Sequence, residues 1–268
     1  MIIVKMGGSE GVDAQSICVG LAEWVREGKE VVLVHGGSHE TTLISEKLGH
    51  APRFVTSTSG HSSRYTDRET MEILSMVMGG RINTLLVEHL QKLGVNAIGL
   101  SGVDGRLLEA KRKPTLRVVE DGKTLVLRGE YSGRIEQVNA PLLTTLLEAG
   151  YTPVIAPFAV SLENELVNVD GDRAAAAIGA ALHAETVVIL SNVPGLLEDV
   201  DDPRSLIRSV PLAEADTVLA DVAKGRMKRK VLGAIEALRA GVGRVILADG
   251  RVPQPLQQAL AGEGTVIE

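Results

Sequence analysis

The chain has 268 residues, with 28 Lys and Arg against 34 Asp and Glu, and a formal net charge of −6. That length suits one large α/β domain or two small ones and buries a substantial core without disulfide or metal staples. A single cysteine excludes a disulfide framework and a multi-cysteine zinc site, and one Trp, three Tyr and two Phe are too few for a base-stacking nucleic-acid platform.

The first residues, Ile2 to Val4, form a short apolar run ending at Lys5 and then Gly7-Gly8, the pattern of a buried parallel strand. It is too short for a signal peptide, and no apolar run reaches the roughly 18 residues of a membrane helix. A cytoplasmic protein with no membrane or nucleic-acid partner is the expectation. Asp13 is placed to cap a helix through Trp24 and Val25, closed by Gly28. A second strand, Val31 to Val34, leads into His35-Gly36-Gly37-Ser38, and a helix from about Glu40 to Leu48 ends at Gly49. This β-α-β-α order predicts an α/β fold, a mainly parallel open sheet with helices on its faces.

Between Pro52 and Tyr65 the sequence turns polar and predicts a loop or small hairpin. Asp67 starts a helix through Met71, Leu74 and Met78, whose methionines read as packing, and another runs from Arg81 to Leu93 with Gly94 as its stop. Ala97 to Leu100 is a strand. Leu116 to Val119 and Leu125 to Leu127 flank the turn Asp121-Gly122 and predict an antiparallel hairpin excursion that includes Lys111-Arg112-Lys113. Asn139 caps a helix ending at Gly150, followed by strands at Pro153 to Ile155 and Leu166 to Val169. Asp170-Gly171-Asp172 opens the Ala-rich helix Arg173 to Leu182, and Thr186 to Leu190 is a strongly apolar strand. A long helix from about Met227 to Ala240 and a strand Val245 to Ala248 close the pattern. No low-complexity linker or internal repeat divides the chain, so any lobes share one sheet. Cys18 reads as a core filler, and His61 and His183 have no ligand partners at metal spacing.

Glycines at strand ends let backbone N–H groups approach a phosphate with no Cβ in the way, and ligands of open parallel sheets sit at the carboxyl ends of strands. Taken singly, each Gly-Gly turn also suits a tight strand-to-helix connection. Paired, with Lys5 beside them, they point to a phosphate site. Neither turn is a Walker loop or a Gly-x-Gly-x-x-Gly fingerprint. Asn168-Val169-Asp170-Gly171-Asp172 combines an amide, two carboxylates and a glycine at a strand-to-helix junction, where an ordinary N-cap is the plain alternative. Gly225-Arg226-Met227-Lys228-Arg229-Lys230 is a basic run before a helix, and a solvated turn is the alternative there.

In order, Lys5-Met6-Gly7-Gly8, His35-Gly36-Gly37-Ser38, Asn168 to Asp172, Ser191-Asn192-Val193-Pro194-Gly195-Leu196 and Met227 to Lys230 resemble the amino acid kinase family over nearly the whole chain. Within it the chain is similar to the acetylglutamate kinase group. Ser63 to Thr70 and Gly102-Val103-Asp104-Gly105 resemble its lysine-biosynthetic branch, which phosphorylates 2-aminoadipate or glutamate tethered to a small acidic amino-group carrier protein. The resemblance implies a three-layer αβα sandwich with the hairpin in an N-terminal lobe. It implies a single domain over 1–268, with a substrate and carrier lobe at 1–165 and an ATP lobe at 166–268.

It implies ATP-dependent phosphorylation of a side-chain carboxylate. Lys5 and Lys230 would stabilise the transferring phosphoryl group, and Asp172 would hold both. Gly7 and Gly8 would approach ATP phosphates, and Gly36, Gly37 and Ser38 the substrate. Arg64 would pair with the substrate's main-chain carboxylate, and Asn168 would bond near its blocked amino group. Ser191, Asn192, Gly195, Leu196 and Leu197 would line the nucleotide. Mg2+ would travel with ATP, with no protein metal ligand. Lys111, Arg112, Lys113 and Arg117 would dock the acidic carrier, a solvated hairpin edge being the plain alternative.

Ser38 stands where the group usually has a third glycine, and Lys228 is a rival to Lys230, whose spacing after Met227 fits. The chain opens directly on its first strand, without the helical extension of hexameric, arginine-inhibited relatives, so a homodimer is expected. Kinase action on free N-acetylglutamate in arginine synthesis, or on carrier-linked glutamate as well, is the rival within the class. A nucleotide-binding module without turnover is the rival outside it, and the retained Lys5, Asp172 and Lys230 argue against that.

Overall fold

Along the first strand, β1 (Ile2–Met6), side chains alternate between two cores. Ile2, Val4 and Met6 enter one, and Ile3 enters the other. The computed structural model describes residues 1–58, 60, 62–120, 122–223 and 225–268, with backbone alone for 225 and 226. The expected turn residue Asp121 and His61 lie outside the described residues.

After β1 come α1 (Ala14–Arg26), β2 (Val31–His35), α2 (Ser38–Lys47), the short strands β3 (Phe54–Thr56) and β4 (Ser62–Arg64), and α3 (Arg68–Ser75). A π-helical segment, Met76–Ile82, joins α3 to α4 (Asn83–Lys92), and β5 (Ala97–Ser101) follows. Then come β6 (Leu108–Glu120), β7 (Lys123–Val138), α5 (Ala140–Glu148), β8 (Thr152–Ala156), β9 (Phe158–Ser161), β10 (Leu166–Asn168) and α6 (Gly171–Ala181). The last elements are β11 (Thr186–Ser191), β12 (Ser209–Val210), α7 (Ala215–Asp221), α8 (Gly225–Arg239), β13 (Arg244–Asp249), α9 (Pro255–Leu260) and β14 (Gly264–Ile267).

Eight strands form one sheet in the order β12-β14-β13-β11-β1-β2-β8-β5. Every pair is parallel except β13 with β14. β1, β2, β8 and β11 are buried throughout, so they read as continuous apolar runs. Helices α1, α4 and α9 supply Ile17, Leu21, Leu90 and Leu256 to one face. Helices α5, α6 and α8 supply Leu143, Ile178, Val231 and Ile235 to the other. The result is the expected three-layer α/β sandwich around a mainly parallel sheet. Each fully buried Leu or Ile contributes about 1.5–3 kcal/mol. Among the described residues no helix is long and apolar enough to cross a membrane.

The caps fall where the sequence places them. Asp13, Asp67, Asn139 and Asp170 each accept a first-turn N–H, and Gly28, Gly49, Gly94 and Gly150 follow helices at positive φ. Cys18 is buried in α1, which pushes its thiol up to about 12.

Two regions differ from expectation. The two helices expected to part near Gly79-Gly80 run on through the π-helical segment, whose Met78 and Ile82 reach Gly37. The hairpin is far longer than its apolar pieces suggested, and β6 and β7 close with β9 and β10 into a small four-stranded barrel. That closure pairs residues dozens of positions apart, which local periodicity does not encode.

Candidate active site

The loops after β1 and β2 lie backbone against backbone. A Cβ on Gly8 would sit 2.0 Å from the Gly37 amide nitrogen, and one on Gly36 would sit 2.4 Å from that of Gly8. Only glycine permits this approach. Ser38 Oγ and the His39 N–H both donate to the Gly8 carbonyl, at 3.0 and 2.9 Å, tying the loops together. Ser38 is therefore a cross-link between the loops. Gly37 precedes α2 with no side-chain cap among the described residues, so the start of this ten-residue helix keeps N–H donors for an anion. Beneath the loop His35 is fully buried, donates from Nδ1 to the Gly36 carbonyl at 3.0 Å and accepts at Nε2 from Asn83 Nδ2 at 3.1 Å. Burial, with help from the Lys5 charge, pushes its imidazole down to about 4, so it is neutral at pH 7.

Next to the last residue of β1, Lys5 lies on the face that meets the start of α6. Its Nζ lies 2.7 Å from Asp172 Oδ1, and Lys230 Nζ, from the opening turns of α8, lies 2.8 Å from Asp172 Oδ2. Asp170 caps α6 by accepting from the Asp172 and Arg173 N–H groups at 3.0 and 3.1 Å, which fixes where Asp172 points. Burial alone would push the Asp172 carboxyl up. The two ammonium groups outweigh it and hold the group well below the usual carboxylate range. Burial pushes the Lys230 ammonium down, against the pull of Asp172. One buried carboxylate with two ammoniums leaves a local excess of one positive charge, suited to a transferring phosphoryl group.

Arg64 ends β4. Its Nη2 donates to Thr42 Oγ1 at 2.7 Å and to the Ser38 carbonyl at 3.1 Å, and its guanidinium lies 5.1 Å from the Phe54 ring centre. Nη1 is buried and finds no partner among the described residues. Burial pushes the guanidinium down from its ordinary value. A buried guanidinium nitrogen without a partner costs free energy unless a ligand supplies an acceptor, and a carboxylate supplies one. Asn168 Nδ2 donates to Thr66 Oγ1 at 3.2 Å from the end of β10. Beyond β11, Gly195 has φ +153°, and a Cβ there would meet Thr265 Oγ1 at 2.7 Å, so the turn through Leu196 folds back on β14. Val200, Val222 and Met227 add an apolar wall. The glycine cradle and this wall fit a nucleotide. The glycine turns, Lys5, Asp172, Lys230, Arg64, Asn168 and the apolar wall line one cleft of about 560 Å³. Among the described residues no group of three His, Cys, Asp or Glu is placed to hold a metal ion.

The amino acid kinase family's sequence profile matches residues 1–249. The chain belongs to the amino acid kinase family. It is an ATP-dependent phosphotransferase. A protein of Deinococcus radiodurans named "[LysW]-aminoadipate kinase" is 55% identical over 267 residues, covering 100% of this chain and 91% of that one. One of the same name from Thermus thermophilus is 52% identical over 268 residues, covering 100% of both. The N-acetylglutamate synthase of Neisseria gonorrhoeae, solved with coenzyme A and N-acetyl-glutamate, superposes with a TM-score of 0.79 at 24% identity over 99% of this chain and 58% of its own. That likeness bears on the fold alone.

In this member of the family the cleft gathers every phosphoryl, substrate and nucleotide residue expected from sequence: Lys5, Asp172 and Lys230, the turns at Gly7, Gly8, Gly36, Gly37 and Ser38, the pair Arg64 and Asn168, and Ser191, Asn192, Gly195, Leu196 and Leu197. Lys228 is exposed and off the cleft, which leaves Lys230 as the lysine that meets Asp172. Lys111, Lys113 and Arg117 are exposed on β6, away from the cleft wall. Arg112 differs from them. Its Nη1 reaches Glu165 at 2.5 Å, its Nε donates to the Glu130 carbonyl at 2.9 Å, and its guanidinium lies 3.6 Å from the Tyr131 ring centre. The alternation of β6 turns it inward, so the basic surface reduces to the other three. Arg229 was missed. It lines the cleft and donates from Nη2 to the Ser62 carbonyl at 2.9 Å, joining α8 to β4. Its place in a basic run was the available signal, but its partner is 167 positions away.

Proposed function

We propose that the chain transfers the γ-phosphoryl group of ATP to the side-chain carboxylate of 2-aminoadipate carried through its amino group on a small acidic carrier protein of the LysW kind, in lysine synthesis. The carrying observation is Asp172 held between Lys5 and Lys230 at 2.7 and 2.8 Å. A carboxylate oxygen attacks the γ-phosphorus, the bond to the β-phosphate oxygen breaks, and ADP leaves. The nucleophile is already ionised at pH 7, so the reaction needs no general base. It needs two anions held in line and their charge offset. Lys5 and Lys230 offset charge on the transferring group while Asp172 fixes their positions. Gly8 and Gly37 supply the space and N–H donors. The free Arg64 Nη1 supports an acceptor with a main-chain carboxylate, and Asn168 faces the end where the amino group is blocked. Mg2+ bound through the ATP phosphates would supply countercharge to them, held by no protein side chain.

Residues 1–165 form the substrate and carrier lobe and 166–268 the ATP lobe of a single domain. Lys111, Lys113 and Arg117 supply a positive strip for an acidic carrier, acting through steering more than through buried contact. The protein works in the cytoplasm as a homodimer, for which exposed Met76 in the π-helical segment and Leu85 in α4 offer apolar surface. Light scattering tests the last point.

ADP release with Mg·ATP and hydroxylamine trapping of the acyl phosphate tests the acceptor. Carrier-linked 2-aminoadipate, carrier-linked glutamate and free N-acetylglutamate are offered in parallel. Turnover confined to carrier-linked substrates is the expected result. Good turnover of free N-acetylglutamate with none on the carrier overturns the reading.

A further inference from the structure

β7 is interrupted where it passes the substrate end of the cleft. Lys113 pairs with Ser132 and Thr115 with Arg128, so three residues, 129 to 131, face the single Pro114 of β6. Pro114 has no N–H to give the ladder, and Gly129 takes φ +78°, which glycine adopts at no steric cost. The bulge turns Glu130 inward until it is 1% exposed, although it stands in a run of otherwise polar and half-exposed residues.

What Glu130 meets there is Thr66. The Thr66 N–H donates to Glu130 Oε2 at 3.3 Å, and the carboxylate also accepts from the Ser132 hydroxyl and N–H. The bulge grips the same residue a second time, because the Tyr131 N–H donates to the Thr66 carbonyl at 2.7 Å. Thr66 itself is fully buried. Its hydroxyl donates to the Arg64 carbonyl at 3.3 Å and accepts from Asn168 Nδ2 at 3.2 Å. Neither Thr66 nor Glu130 lines the cleft. Ser132 lies beside Asn168 in the parallel β7–β10 pairing, so the carboxylate is anchored to the strand next to the one that carries Asn168.

We propose that Thr66, locked by the buried Glu130 of the β7 bulge, is a positioning residue that holds Arg64 and Asn168 in fixed relation to one another. Those two side chains come from segments 104 positions apart. The Thr66 hydroxyl links the Arg64 backbone carbonyl to the Asn168 side-chain amide, and a buried carboxylate keeps it in place. The effect expected is on acceptor binding and not on ATP, because the glycine loops and the Lys5–Asp172–Lys230 centre make no bond to Thr66 or Glu130 in the contacts above.

This inference rests on the substrate-end roles given to Arg64 and Asn168. The test therefore uses whichever acceptor the wild-type protein turns over, so a failed functional reading changes the acceptor and leaves the test standing. Thr66→Val keeps the shape and removes the hydroxyl. It strands the Asn168 amide, and the KM for the acceptor is expected to rise about tenfold while the KM for ATP stays within about twofold. Thr66→Ser keeps the hydroxyl and restores the acceptor KM to near the wild-type value. Glu130→Gln keeps the shape and one acceptor oxygen, and carries the same selective rise in a smaller degree. It decides the matter should Thr66→Val fail to fold. An unchanged acceptor KM in Thr66→Val, or in Glu130→Gln if only that variant folds, overturns the proposal. Equal rises in the KM for acceptor and ATP that Thr66→Ser does not rescue mark a merely structural residue and overturn it too.

Discussion

At one end of the cleft, Lys5 and Lys230 are each ion-paired with Asp172, and the glycine loops beside them lie backbone against backbone. At the other end, Arg64 keeps a buried nitrogen without a partner among the described residues, and its neighbours are a two-stranded hairpin and a small barrel. The first end, which the proposed function assigns to the phosphoryl group, has its charged groups held in place before any ligand arrives and sits on the strand ends and helix starts of the main sheet. The second end, assigned there to the acceptor, keeps an unmet donor and sits on elements added to that sheet. Charge stabilisation of a transition state gains most from groups that need no reorganisation. Acceptor recognition needs donors left free to be satisfied on binding.

Changes at the ion-paired end should have the largest effects. Lys230→Met is expected to lower kcat by about a thousandfold, with ADP release as the readout. Asp172→Asn leaves two buried ammoniums facing each other without a countercharge. It should cost about 3–5 kcal/mol of stability in denaturant unfolding as well as turnover. A variant at either position with near wild-type kcat would break the contrast between the two ends.

A pH effect comes next. His35 binds a proton with its ordinary affinity when unfolded, near 6.5, but only near 4 in the folded protein. Between those values the unfolded chain holds more protons. Stability is therefore full above about pH 6.5 and falls as pH drops to about 4, by up to about 3 kcal/mol. His35→Gln should flatten that part of the stability profile. Asp172 also has to stay deprotonated. Its depressed affinity keeps it ionised through this window, and its contribution is lost only at lower pH.

Changes at the open end should be smaller and selective. Arg64→Lys loses the planar fork and should raise the KM for the acceptor about tenfold to a hundredfold, with the KM for ATP unchanged. A rise in both constants would show that Arg64 belongs to the phosphoryl end instead. Smallest is the double charge reversal Lys111→Glu with Lys113→Glu. It should raise the carrier-linked KM a few-fold and weaken the salt dependence of kcat/KM. An unchanged salt dependence would return these lysines to a solvated strand edge.

The ion-paired end was readable from sequence because each of its parts is local: a strand, a glycine turn, an N-cap and the first residues of a helix. Lys5, Gly8, Gly37 and Asp172 all sit at such junctions, and order along the chain did the rest. The open end was readable only in part. Arg64 and Asn168 stood in recognisable motifs. Arg112 turned inward because of strand alternation and barrel closure, and Glu130 was buried by a bulge that depends on a proline in the partner strand. The barrel is made by pairing residues near 110, 130, 160 and 168, which no local pattern announces. The π-helical join at Met76–Ile82 was hidden for the opposite reason, since Gly79-Gly80 is a strong local signal for a break and tertiary packing on Gly37 overrides it.

The central claim is that this cleft phosphorylates a carboxylate presented by a carrier protein. Intact-mass spectrometry of the carrier after reaction with Mg·ATP tests it most directly. With 2-aminoadipate linked through its amino group, the predicted result is one added phosphoryl group on the carrier, exchanged for a hydroxamate when hydroxylamine is present. A carrier of unchanged mass, while free N-acetylglutamate consumes ATP in the same mixture, would contradict it.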